Sequence, residues 1–551
     1  MATTAAETHV KLPADTNQAL GIAQYAIDFL SDDPAKRGEP DASVLEKTNQ
    51  FFTDAVLCGL SALALKTNAP TILRDEALQY PVTDATHRLG KATQRGATVF
   101  GSSVQVQPEK AILANNSAVR EWDSNGTNFG YNPALGHTAG EFGHNDFYGV
   151  CIAGAQMTGR DGAYALKAMV CHDEIRGRLA EVFSLKTYKV DHVVHGAIAS
   201  AAVFGAMLGA KPEQIESAIG MVVAHYIPFR AIRAGKQLSD SKGASAAIST
   251  EAAIVAMRRS MAGFLGPRDI FRNPEAIFRL FEGPGQVFYR ATDPPRRVGA
   301  SEPDAASSDR SPFDLHLARA GSDFAVMGMH FKLGLYEHQS AGAIQATINL
   351  LSRNPHLLEA SDGSKIASMK IVAYEPAFGI IGDPAKRDPR TRQSADHSMV
   401  YIVATLVRKA IERRAAGWKE LMLEPADYGR DAIMHGFTRR LMEKIDFAHG
   451  GPEYDSRYPD GIPTSVVITD DAGDSFDSGL VMYPGGHARN ARGKDRVDLD
   501  DVLTHKFRLL GSLVAAEPEP IIARFSELET KSEAQIRDIN DFGLVRKGTF
   551  D

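Results

Sequence analysis

Val193-Val-His-Gly-Ala-Ile-Ala-Ser-Ala-Ala-Val-Phe-Gly-Ala-Met-Leu208 decides the fold class. Apolar residues recur in it at three and four, strand-like alternation is absent, and its faces are made of small residues that let helix axes approach closely. Gly243-Ala-Ser-Ala-Ala-Ile-Ser-Thr-Glu-Ala-Ala-Ile-Val-Ala-Met257 repeats the pattern. Between them, Pro212-Glu-Gln-Ile-Glu-Ser-Ala-Ile-Gly-Met-Val-Val-Ala-His225 opens with proline and acids, as helices do. Outward from this block the helical recurrence runs from about residue 17 to residue 281. The expected class is therefore mainly α: a large all-helical domain plus a smaller α+β domain.

The change of character falls at Glu282-Gly-Pro-Gly285, followed by a Pro-, Asp-, Ser- and Arg-rich stretch over 291–312 that reads as a surface loop. The expected organisation is 1–285 as the first part of the helical domain, 286–490 as an α+β lid domain, and 491–551 as a helical segment packing back on the first. Within the lid, Ile366-Ala-Ser-Met-Lys-Ile-Val-Ala-Tyr374 predicts a strand. Helices are expected over 341–351, 399–411 and 430–445, and a hairpin-like pair over 465–469 and 475–483. The first twenty residues carry acids and no apolar run, and read as a frayed terminus rather than a targeting peptide.

Composition narrows the function classes. The chain has 551 residues, 44% hydrophobic and 23% charged, enough for a large core. Its net charge is −7 and its basic residues are scattered, so no nucleic-acid footprint is visible. No apolar run reaches membrane-spanning length. Three cysteines, Cys58, Cys151 and Cys171, lie far apart without CxxC spacing, which argues against a disulfide framework or a zinc ribbon and for a cytoplasmic protein. No P-loop, no GxGxxG after a strand, no GxSxG and no HExxH occurs, so nucleotide and serine-hydrolase readings fall.

What remains is a set of polar residues in apolar or Gly-rich settings. Asp123-Ser-Asn-Gly-Thr127 and Glu141-Phe-Gly-His144-Asn-Asp146 place an acid, a hydroxyl and an imidazole in a loop-like segment ahead of the apolar stretch 147–157, a way to offer polar groups to a small substrate. The same turn is also what an Asx-turn looks like. Asp191-His192-Val-Val-His195 puts two imidazoles on one helical face, which suits a metal pair or satisfied core histidines. Lys242 sits at a helix start, where it is either a solvated lysine or a receptor for a carboxylate. His338, in Tyr336-Glu-His338-Gln-Ser, opens a helix and could face the first domain across a cleft. Imidazoles, an aspartate and a lysine together supply what proton abstraction next to a carboxylate requires, with no metal or organic cofactor.

At these residues the chain resembles the MmgE/PrpD family, which comprises 2-methylcitrate dehydratases, cis-aconitate decarboxylases and related enzymes. The resemblance spans about residues 49–513. Its pieces include Asp123–Thr127 with His144, Val190-Asp-His-Val-Val-His195, Ser241-Lys-Gly-Ala-Ser-Ala-Ala247, Lys332-Leu-Gly-Leu-Tyr-Glu-His338 and Tyr483-Pro-Gly-Gly-His-Ala-Arg489. The resemblance implies a helical domain with an α+β lid, a homodimer, a small carboxylate substrate, and Asp123, Thr127, His144, His192, Lys242 and His338 around it. On this reading His144, oriented by Asp123, moves the proton, with His192 as the alternate acid or base. Lys242 and Thr127 bind carboxylates, His338 closes the site, and Arg392 is a further carboxylate-binding candidate. The reaction implied is loss of water from a 2-methylcitrate-like tricarboxylate. Decarboxylation, epimerisation, a metal-dependent hydratase using His192, His195 and His144, and a non-catalytic carboxylate binder stand as alternatives. Ser124, Asn125 and Gly126 depart from the family's Asp-Phe-Asp/Asn-Asp-Thr turn and remove an acid.

Overall fold

A computed structural model of the protein describes residues 8–83, 89–233, 237–280, 310–545, 547, 548 and 550. The expected boundary near residue 285 and most of the 291–312 loop lie outside the described residues. The protein is mainly α, with 52% helix and 10% strand, the strands forming only small sheets.

Small residues set the spacing of the helical core. The helices Val193–Met207, Pro212–His225 and Asp240–Met261 pack on one another, and Pro108–Arg120 packs on Asp240–Met261. A Cβ added at Gly205 would stand 2.6 Å from Met257 Sδ and 2.7 Å from Ile215, so glycine there is a condition of the close approach. The long helix Ala42–Ala64 is buried over its second half and runs beside Pro108–Arg120. With Asn68–Ala77 it has the length and apolarity of a membrane span, but the pair is bent by 91°, and no single described helix is long and apolar enough to cross a membrane.

The second half holds a four-stranded sheet in the order Ile445–His449, Ile366–Ala373, Thr464–Asp470, Ser475–Asp477. The first pair is parallel and the others antiparallel. Helix Ala341–Arg353 covers the sheet and packs on Met399–Arg413. The expected hairpin is thus shorter in its second strand. The expected 430–445 helix is two pieces, Arg430–Ile433 and Gly436–Glu443, because Met434 and His435 leave helical geometry and Gly436 opens the second piece. The terminus is not frayed throughout: His9–Leu12 pairs antiparallel with Leu315–Ala318, a partner about three hundred residues away that local sequence could not reveal.

Two connections bring distant sequence to one place. The ribbon Thr127–Phe129 and Phe142–His144 pairs Thr127 with His144, and Thr127 also exchanges backbone hydrogen bonds with His330. Helix Leu499–Val514 packs on Ala42–Ala64 and carries Lys506 into the interior. The Lys506 ammonium donates to the carbonyls of Ser124 (2.7 Å) and Lys332 (2.8 Å) and pairs with Asp54 at 2.7 Å. The acidic turn is therefore clamped by a residue almost 400 positions later.

Candidate active site

The turn at residues 123–127 is built inward. Asp123 takes a left-handed backbone (φ +50°), which aspartate tolerates better than most residues. Ser124 donates to the carbonyl of Gly334 at 2.7 Å, and the Asn125 amide donates to Asn145 (2.9 Å) and Asp146 (2.6 Å). A Cβ at Gly126 would lie 2.5 Å from the Phe51 ring, which itself stacks on Phe331 with centroids 3.8 Å apart. The departures from the family turn thus serve packing of the turn against the core.

Asp123 is a fully buried anion among cations. Its carboxylate pairs with Arg120 and Lys332 on one oxygen, and with Lys242 at 3.0 Å and His397 at 3.3 Å on the other. Burial pushes this carboxyl up, but Arg120, Lys242 and Lys332 outweigh it and hold the group well below the usual carboxylate range. No ion pair or hydrogen bond joins Asp123 to His144; Arg120 stands between them, giving Nη2 to His144 Nε2 at 3.2 Å. Asp123 reaches His144 through Arg120, in an Asp123–Arg120–His144 chain.

Because arginine only donates, His144 Nε2 is the acceptor, and the neutral ring carries its proton on Nδ1, which is buried without a partner among the described residues. Burial, then Arg120 and Lys332, drive the His144 pKa well below its ordinary value. His192, at the start of the Val193–Met207 helix, has its ring 5.2 Å from that of His144. Its Nε2 faces Arg233 Nη2 at 3.4 Å, and Arg233 is in turn tied to Asp191. Burial lowers the His192 pKa well below the usual imidazole range, with Arg233 and Arg120 acting the same way against Asp191. Both rings are neutral at neutral pH.

Arg120, His144, His192 and Arg233 line a solvent-open pocket of about 520 Å³, the space at its mouth included. The first half contributes Arg120, Thr127, His144, His192, Arg230 and Arg233, with Phe129 and Phe142; the second contributes Glu337, Gln339, Ile380, Lys386 and His397. Among the described lining residues, four cations thus face one acid. Arg230 Nη1 is buried with no hydrogen-bond partner among the described residues. Lys386 is lowered by burial to about 8, which leaves it charged at neutral pH, and His397 is lowered by burial and Lys242 to about 3. Thr127 lines the pocket while donating its hydroxyl to the carbonyl of Gly143 at 2.8 Å.

The remaining sequence candidates lie behind this surface. Lys242 is buried against Asp123 and Asp396 (3.2 Å). Arg392 is spent on Glu121 (2.7 Å) and Asp396 (3.2 Å). Neither lines the pocket, whereas Arg230, Arg233 and Lys386, which sequence reasoning did not single out, do. Arg230-Ala-Ile-Arg233 follows a helix with no motif, and its one available signal was two arginines in an otherwise apolar region. His338 is buried and stacked on His330 with centroids 5.0 Å apart, behind Phe129, while its neighbours Glu337 and Gln339 reach the pocket. His195 is a core histidine, bonded through Nε2 to the carbonyl of Phe183 at 3.0 Å. Among the described residues the one group with metal-ligand spacing is Asp123, Asp396 and His397, and its carboxylates are already paired with Lys242, Arg120, Lys332 and Arg392. His192, His195 and His144 form no such group.

The pocket thus combines cations with three neutral imidazoles, groups that can hold anions and accept protons. The chain belongs to the MmgE/PrpD family: the family's N-terminal domain model matches residues 22–288 and its C-terminal domain model matches residues 336–524. The chain is 24% identical over 457 residues to 2-methylcitrate dehydratase of Escherichia coli K12, covering 79% of this chain and 82% of that protein. It is 29% identical over 454 residues to 2-methylcitrate dehydratase of Cupriavidus necator, with the same coverage. Against the mitochondrial 2-methylcitrate dehydratase of Yarrowia lipolytica it is 25% identical over 506 residues, covering 88% of this chain and 84% of that one.

Proposed function

We propose that this carbon–oxygen lyase removes water from 2-methylcitrate or a similar tricarboxylate, giving the cis-aconitate-type product without a cofactor. The observation that carries the reading is the charge balance of the pocket: Arg120, Arg230, Arg233 and Lys386 against Glu337, the one acid among the described lining residues, with neutral imidazoles in the same lining. Such a site attracts several carboxylates and stabilises the enolate-like charge that develops when a proton leaves the carbon beside one of them.

In this reading His144 is the base. At rest its lone pair is held by Arg120, so it becomes available when a substrate carboxylate takes over the Arg120 N–H groups. Binding and activation are then one event. His192, next to it, is the alternate proton carrier. Asp123, Lys242 and Arg392 act through others, fixing Arg120 and the wall that holds His397. Arg230, with its unpartnered Nη1, is a carboxylate receptor. A charge-assisted hydrogen bond of this kind contributes roughly 1.5–3 kcal/mol, so Arg230→Met is expected to raise KM by about 10- to 150-fold with a smaller effect on kcat. A fall in kcat at unchanged KM would remove Arg230 from substrate binding.

The reading is tested by adding 2-methylcitrate, citrate or cis-aconitate to the protein and following unsaturated-acid absorbance and CO2. Absorbance rising from 2-methylcitrate without CO2 supports it; CO2 from cis-aconitate would move the chain to decarboxylation on the same scaffold.

We further read the protein as a cytoplasmic homodimer. Its three cysteines are free and buried, as in reducing compartments. Ile72 and Ile248, on neighbouring helices, are 55% and 50% exposed, and Tyr80 and Val104 are exposed nearby, an apolar surface suited to a second copy. Light scattering should give about twice the 59.6 kDa chain mass, and a monomer at micromolar concentration would refute the dimer.

A further inference from the structure

The elimination reading leaves one requirement unmet. His144 and His192 are both neutral, so they accept protons, yet a departing hydroxyl needs a proton donor. Glu337 is the one acidic side chain among the described residues that line the pocket, and it is carried by the second half of the chain, with Lys386 and His397, while both imidazoles come from the first half. It is held in place: its own N–H donates to the carbonyl of Asp396 at 2.9 Å, and its Oε2 accepts from the N–H of Gln339 at 2.7 Å. No salt bridge neutralises it among the described residues, in contrast to Asp123 and Glu121.

We propose that Glu337 is the proton donor to the leaving hydroxyl, a role that rests on the elimination reading above. His144 takes the proton from the carbon beside a carboxylate, the C–H pair becomes the new double bond, and the C–O pair leaves with oxygen as Glu337 gives it a proton to form water. Glu337 ends as a carboxylate and His144 as an imidazolium. The two exchange protons with solvent to restore the resting state, and nothing is oxidised or reduced.

The surroundings fit a carboxyl kept protonated. Burial, and then the Asp123 carboxylate, raise Glu337 to about 7, while Lys332, the Gln339 N–H and Lys386 pull it back; the phenols of Tyr374 and Tyr458 also face it. Imidazoles pushed down and a carboxyl pushed up in one pocket divide the base and acid roles. On this assignment kcat should fall as pH rises through about 7 with loss of the Glu337 proton, and Glu337→Gln should lack that limb.

The test compares wild type, Glu337→Gln and His144→Gln on 2-methylcitrate and on its analogue with chlorine in place of the departing hydroxyl, since chloride leaves without a proton. Glu337→Gln is expected to lose about 10²–10⁴-fold on the hydroxy acid but to stay within about fivefold of wild type on the chloro acid, whereas His144→Gln loses both. Equal losses of Glu337→Gln on the two substrates, or hydroxy-acid turnover near wild type, would overturn the donor role. A wild-type protein silent on the hydroxy acid would instead refute the elimination reading.

Discussion

His144→Gln should lower kcat by about 10²–10⁴-fold, the contribution of one positioned proton-transfer group, while KM changes little. Glutamine preserves an acceptor for Arg120 Nη2, so the Asp123–Arg120 pair and the wall around it stay in place. It cannot take a proton. The variant should therefore bind tricarboxylate as wild type does, and isothermal titration beside steady-state kinetics separates the two quantities. A variant that keeps more than about a tenth of wild-type kcat would transfer the base role to His192, whose ring lies 5.2 Å away.

Asp123→Ala should produce the largest loss of stability. The substitution leaves Arg120, Lys332 and Lys242 facing one another in the interior without their shared anion, and breaking a buried ion pair by removing one partner costs about 3–5 kcal/mol. Urea unfolding should show the midpoint falling with the slope unchanged. The pH dependence has a definite sign. The Asp123 carboxyl is depressed in the folded state, so its contribution is fully present above the unfolded-state value of about 3.9 and disappears as pH falls through the folded-state value. The gap between wild type and Asp123→Ala should thus be constant at neutral pH and narrow only in acid. A variant as stable as wild type at pH 7 would mean that the three lysine and arginine side chains find other partners.

Local sequence carried the scaffold because small-residue helices declare themselves through spacing: Gly205 packs where the 193–208 pattern placed a close approach. It did not carry long-range pairing. His9–Leu12 became a strand only because Leu315–Ala318 lies beside it. The same division holds at the site. Thr127, His144 and His192 line the pocket together, with Asp123 buried behind Arg120, all four having been singled out as polar residues in apolar surroundings. Lys242 and Arg392 are close by but turned to buried ion-pair partners, and His338 is buried against the rings of His330 and Phe129, since spacing fixes where a side chain starts and not what it meets. Lys386 and His397, some 250 residues from His144, and the paired arginines at 230 and 233 carry no local mark of function, because their meaning comes from the pocket they share.

The most direct test of the account is product analysis by NMR and mass spectrometry after incubating the protein with 2-methylcitrate. The expected product is an unsaturated tricarboxylate lighter by one water, with every carbon retained. Unchanged 2-methylcitrate, or a product that has lost carbon dioxide, would contradict it.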